Sequence, residues 1–133
     1  MATSHDAPLH KTKQPLRILC VDDHAQMLLL TQLTLERAGH IVTCEEDGLQ
    51  AWNRILRERQ GFDVVITDHQ MPHLTGLELV KRLRAIDYPT KIIVQSSLLL
   101  PDEREQLAAL RVDAVLQKPA SIQHLLKEIS RLA

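Results

Sequence analysis

Aromatic residues are nearly missing from this 133-residue chain: Trp52, Phe62 and Tyr88 are all it has. So few rings exclude a stacking platform for single-stranded nucleic acid. An excess of one charge is missing too. Sixteen Lys and Arg stand against 17 Asp and Glu, a formal net charge of −1, which argues against a surface given over to nucleic acid. Cysteine occurs only at Cys20 and Cys44, each inside an apolar run and neither in CxxC or Cys/His spacing. That excludes a zinc motif and reads as two buried free thiols. No apolar run reaches the length of a membrane span, and the opening "MATSHDAPLHKTKQP" lacks the apolar stretch of a signal peptide. What remains is an ordinary globular composition, 44% apolar and 25% charged. The expectation is a cytoplasmic protein with a disordered tail, residues 1–15, and one domain, residues 16–133.

What is present is a rhythm. Five short apolar runs recur: "RILCV" (17–21), "HIVTC" (40–44), "FDVVIT" (62–67), "KIIVQ" (91–95) and "DAVLQ" (113–117). Brevity and Val/Ile content predict strands, and their continuous apolar character predicts cover on both faces. Between them lie segments of helical length, 24–39, 47–61, 75–86, 101–111 and 121–133. Leu77, Val80, Leu83 and Ile86 form one stripe in the third. The first two segments end in Gly, and the fourth opens with Pro101, Asp102 and Glu103, which suits a first turn and the helix dipole. Alternating strand and helix predicts an α/β fold of (βα)5 type, a doubly wound five-stranded parallel sheet. For this length the expected strand order is 2-1-3-4-5, which is flavodoxin-like.

Open parallel sheets form sites beyond the C-terminal ends of their strands. Here those ends carry Asp22 and Asp23, Glu45 and Glu46, Asp68, Ser96 and Ser97, and Lys118 followed by Pro119. The expected order sets the first and third ends side by side. Two unit charges 4 Å apart cost about 4 kcal/mol at an effective dielectric near 20. Protonation relieves such crowding, and so does a hard divalent cation; Mg²⁺ takes oxygen ligands and needs only one or two carboxylates. A carboxylate nucleophile, a metal, a lysine and a hydroxyl are together the groups used to transfer phosphate onto an aspartate.

In this respect residues 16 to 133 resemble the receiver domain of bacterial two-component response regulators. The resemblance rests on "VDD" at 21–23, "DHQMPHLTG" at 68–76, "SS" at 96–97 and "KP" at 118–119, in that order. It implies that Asp68 is the phosphoacceptor, attacking a phosphohistidine on a sensor histidine kinase or histidine phosphotransfer protein. It implies that Asp23 binds Mg²⁺ directly, that Asp22 is the second acid, and that the Gln70 backbone carbonyl completes the metal site. Lys118 pairs with Asp68 and then with phosphoryl oxygens. Ser96, with Ser97 as the adjacent alternative, closes on the new phosphoryl group. The peptide bond before Pro119 is usually cis in such domains.

Such a protein is a switch that modifies itself rather than an enzyme acting on others, and it changes its contacts with a downstream protein. With nothing after Ala133, the expectation is a single-domain regulator or a relay member with no direct contact to nucleic acid or membrane. Two other functions compete. One is a degenerate receiver acting as a phosphorylation-independent scaffold. The other is a small-molecule phosphatase with an aspartate nucleophile, although Gln70 stands where those enzymes carry a second acid. The chain departs from the family at Val115, where an aromatic is usual, and at Arg111, where glycine is usual. Gln70 and Leu98 lack the acids that would hasten loss of the phosphoryl group, so a long-lived phosphoryl is expected. Leu98, Leu99 and Leu100 either fold under the fourth helix or stand exposed for a partner or a second copy, as in a homodimer. His24, His69 and His73 read as solvated loop residues.

Overall fold

The computed structural model of the protein describes residues 15–118 and 121–133. Most of the expected tail, residues 1–14, and Pro119 with its peptide bond lie outside the described residues. Five strands and five helices alternate: β1 (Arg17–Val21), α1 (Ala25–Arg37), β2 (Ile41–Glu45), α2 (Gly48–Arg57), β3 (Val64–Asp68), α3 (Gly76–Ala85), β4 (Lys91–Ser96), α4 (Pro101–Ala109), β5 (Ala114–Gln117) and α5 (Ile122–Leu132). All strand pairings are parallel, in the order β2-β1-β3-β4-β5. Among the described residues no helix is long and apolar enough to cross a membrane.

The two-residue period of a strand explains the double winding. Leu19 and Val21 of β1 face one core with Val65, Ile92 and Val94, under α2, α3 and α4. Ile18 and Cys20 face the other with Val64, Ile66 and Ile93, under Leu28 and Leu35 of α1 and Leu125 and Ile129 of α5. All five residues of β3 are buried, the polar Thr67 and Asp68 at its end included, hence the apolar run of Val64, Val65 and Ile66. Burying one such side chain fully is worth about 1.5–3 kcal/mol. The edge strand β2 is covered less well: Ile41 is exposed and Cys44 only half-buried, so just one of the two free thiols, Cys20, lies in the core as expected.

Helix starts follow local chemistry. Asp47 accepts from the backbone N–H of Leu49 and Gln50, and Ser121 accepts from His124. Thr75 and Glu78 exchange side-chain and backbone hydrogen bonds as a capping box at α3. At α4 only half of that device exists: Glu103 accepts from Leu100 N–H, but a leucine has no oxygen to return the bond. Two expected limits move. The α2 helix stops at Arg57 rather than Gly61: Glu58 turns extended (ψ 122°), and its carboxylate lies 3.4 Å from Arg17. Ile86 leaves its stripe as the exposed C-cap of α3.

Arg111 adopts φ 58° in the turn before β5, which explains the usual glycine there. A side chain in this left-handed region costs roughly 1–2 kcal/mol. The Arg111 carbonyl accepts from Arg84 Nη2 (3.0 Å) and holds the turn in place. Arg111→Gly is therefore expected to raise stability by about 1 kcal/mol in urea unfolding; an unchanged or lower midpoint would contradict this.

Candidate functional site

Strand pairing assembles the site. β1 and β3 are neighbours, so Asp22 and Asp23, just beyond β1, meet Asp68, the last residue of β3. Lys118 arrives from the end of β5, its backbone N–H bonded to the Ser96 carbonyl at 2.9 Å. Its ammonium lies 3.2 Å from Asp68 Oδ2 and 3.2 Å from Asp22 Oδ2. One ligand atom from each of Asp22, Asp23, His24 and Asp68 lies within 4.8 Å of all the others. Three expected acids and the expected lysine therefore converge. His24 joins them from solvent, its Nδ1 3.5 Å from both Asp22 and Asp23. Glu45 does not: it turns away to pair with Arg54 of α2.

The electrostatics are those of an acid cluster with too little positive charge. Asp68 is only 4% exposed. Burial pushes its carboxyl above the ordinary aspartate range; Lys118 pulls it back, and Asp22 and Asp23 push it up again. Burial works against the Lys118 ammonium, but Asp68 and Asp22 outweigh it and hold its pKa above that of a free lysine. Three carboxylates against one ammonium form an oxygen-rich donor set with charge to spare, which suits a hard divalent cation such as Mg²⁺.

The β4 side of the site is a closed polar network. Ser96 is buried. Its hydroxyl lies 3.0 Å from Gln70 Oε1 and 2.7 Å from the Leu98 carbonyl, and accepts from Leu98 N–H at 3.1 Å. Gln70 Nε2 donates to the same carbonyl (2.6 Å). Ser96 thus faces its own loop, while Ser97 is exposed. Of the three leucines, Leu99 packs against the core, whereas Leu98 and Leu100 are 66% and 51% exposed. Val115 lines a cavity of about 230 Å³ together with Ser96, Leu99 and Arg104.

Two contacts hold the loop after β3. His73, at φ 69°, pairs with Asp47 at the start of α2. Gly76 donates to the His69 carbonyl. His69 itself is buried, against the solvated role expected from sequence. A usable signal was present: Val65, Thr67 and His69 share one face by two-residue alternation, and Val65 and Thr67 are buried as well. His73 and His24 are exposed, as expected.

Residues 18–130 match the family model described as the response regulator receiver domain. The chain is 31% identical over 122 residues to the sensory/regulatory protein RpfC of Xanthomonas campestris pv. campestris, covering 89% of this chain and 16% of that protein. It is 42% identical over 71 residues to a chemotaxis protein CheY homolog of Campylobacter jejuni, covering 53% of this chain and 54% of that one. The chain therefore spans about a sixth and about half of the lengths of these two relatives. Among solved structures, the chemotaxis response regulator CheY4 of Vibrio cholerae is similar with a TM-score of 0.79 at 30% identity, over 90% of this chain and 100% of that one.

Proposed function

This chain belongs to the response regulator receiver family of two-component signalling, and from that premise we propose that Asp68 accepts a phosphoryl group from a phosphohistidine of a sensor kinase or histidine phosphotransfer protein. The receiver unit is residues 16–133. The observation that carries this reading is the Lys118 ammonium 3.2 Å from both Asp68 and Asp22, inside a cluster of acids. An Asp68 carboxylate oxygen attacks phosphorus, the P–N bond to the donor imidazole breaks, and an acyl phosphate forms. Asp22, Asp23 and Asp68, with the Gln70 carbonyl, would hold Mg²⁺, which when bound neutralises charge on the transferring phosphoryl group. Lys118 exchanges its bond to Asp68 for one to a phosphoryl oxygen. Ser96 must leave the Leu98 carbonyl to reach that group, so its closure reshapes the β4–α4 loop. Relatives that include a sensory/regulatory protein support a kinase or phosphotransfer partner.

A specific observation favours the scaffold reading as second choice: Val115 with its cavity stands where an aromatic would move with Ser96. One experiment separates the readings. Wild type and Asp68→Asn are incubated with Mg²⁺ and acetyl phosphate and weighed by intact mass spectrometry. The expected result is one phosphoryl group on wild type and none on the variant. No gain on wild type sinks the proposal in favour of a scaffold, and steady turnover of the donor without a trapped phosphoryl points to a hydrolase.

A further inference from the structure

The imidazole of His69 is a buried polar group that phosphoryl transfer leaves without a task. It is 6% exposed and follows the phosphoacceptor directly in sequence. Its backbone belongs to the end of β3: its N–H donates to the Gln95 carbonyl (2.9 Å) and its carbonyl accepts from Gly76 N–H (2.9 Å). Its ring reaches further. Nδ1 accepts from Leu77 N–H in the first turn of α3 (3.3 Å). The ring proton therefore sits on Nε2, which donates to Glu103 Oε2 at 3.1 Å. The other oxygen of Glu103 accepts from Leu100 N–H (2.9 Å) and so holds the first turn of α4.

We propose that His69 is a positioning residue that ties the start of α4 to the phosphoacceptor strand through Glu103, so that chemistry at Asp68 is delivered to α4. This rests on the reading of Asp68 as phosphoacceptor. Two features argue for the tie as the route. The Val115 side chain carries no polar atom and lines a cavity with Ser96 and Leu99, so it makes no hydrogen bond to the loop that precedes α4. The half-built cap of α4 makes its first turn depend on Glu103, since Leu100 contributes no side-chain acceptor. A shift at the end of β3 changes the Nε2–Glu103 bond, and that carboxylate cannot follow the imidazole without loosening Leu100 N–H. Coupling then requires no movement of position 115.

Glu103→Gln tests the tie with little change of shape. The amide oxygen can still accept from Leu100 N–H, but its NH₂ then meets the Nε2–H donor face to face. The ring cannot switch tautomers without stranding Leu77 N–H. The measurement is amide hydrogen exchange over residues 98–107, with and without acetyl phosphate and Mg²⁺, on wild type, Glu103→Gln, His69→Leu and the double variant. Intact mass on the same samples reports phosphoryl uptake.

Wild type is expected to change its exchange in this segment by about 5- to 10-fold on phosphorylation, within the usual range of allosteric coupling. Glu103→Gln should take up phosphoryl at a rate within about twofold of wild type, while that response falls below about twofold. The double variant should lose no more than either single one, because both remove the same link. A structural defect alone would raise exchange equally in both states. A full response in Glu103→Gln, or losses that add in the double variant, overturns the tie and leaves the phosphoacceptor reading intact. No phosphoryl on wild type removes both.

Discussion

Lys118→Met should slow phosphoryl uptake by Asp68 about 100- to 1,000-fold while tightening Mg²⁺ binding, two effects of opposite sign from one ammonium. The slowing follows from losing a preorganised positive group at the transferring phosphoryl, a loss that typically costs this much. The tightening follows from competition. The Lys118 ammonium lies 3.2 Å from carboxylate oxygens of Asp22 and Asp68, two of the proposed metal ligands. Removing it leaves the acid cluster a full charge more negative. One unit charge near 4 Å is worth roughly 1–4 kcal/mol across effective dielectrics of 80 to 20, so an affinity gain on the order of tenfold is expected. Uptake rates by intact mass at saturating Mg²⁺, beside a calorimetric Mg²⁺ titration, check both halves. Wild-type uptake by the variant would remove Lys118 from the chemistry. Weaker metal binding would show that its ion pairs hold the acids in place rather than compete for them.

Gly76→Ala should cost about 3 kcal/mol, the upper end of overpacking losses, or on the order of 10 °C in Tm. A Cβ there would stand 2.4 Å from the Asp68 carbonyl oxygen and 2.9 Å from His69 Cα. Both are backbone atoms at the end of β3, so no flexible side chain can give way. The methyl group must push α3 off β3 or displace Asp68 itself. Uptake of phosphoryl should therefore fall along with stability. Gly39→Ala is the useful contrast: nothing lies within 4 Å of its Cβ, and only the φ of 101° is strained. It should lose about 1 kcal/mol and leave uptake unchanged. Equal losses at the two positions in urea unfolding would mean that the close approach of Gly76 to β3 relaxes at little cost.

Much of the fold was legible because its signals are local. A strand covered on both faces is apolar until its end enters a site, and β3 runs Val64, Val65, Ile66 before the buried Thr67 and Asp68; an α/β alternation then restricts the topology to a few parallel sheets. The acids, the lysine and the serine were legible for the same reason, since each stands at a strand end that a short apolar run announces. Edges were harder. Cys44 looks as apolar in sequence as Cys20, yet its strand has a neighbour on one side only. The end of α2 was misplaced because Glu58 answers to Arg17, 41 residues away, and no local pattern reports such a partner.

Sequence by itself determined the alternation, the family and which polar side chains stand at the strand ends, because spacing and residue type are written along the chain. Only the tertiary structure decided what those side chains do at rest. It set Ser96 toward Gln70 and Leu98, turned Glu45 away from the acids, opened a cavity beside Val115 and enclosed His69 between the starts of α3 and α4. The reason is range: a strand or a cap is settled by residues a few positions apart, whereas the partner of a buried polar group is whichever distant segment packing brings within 3 Å or so.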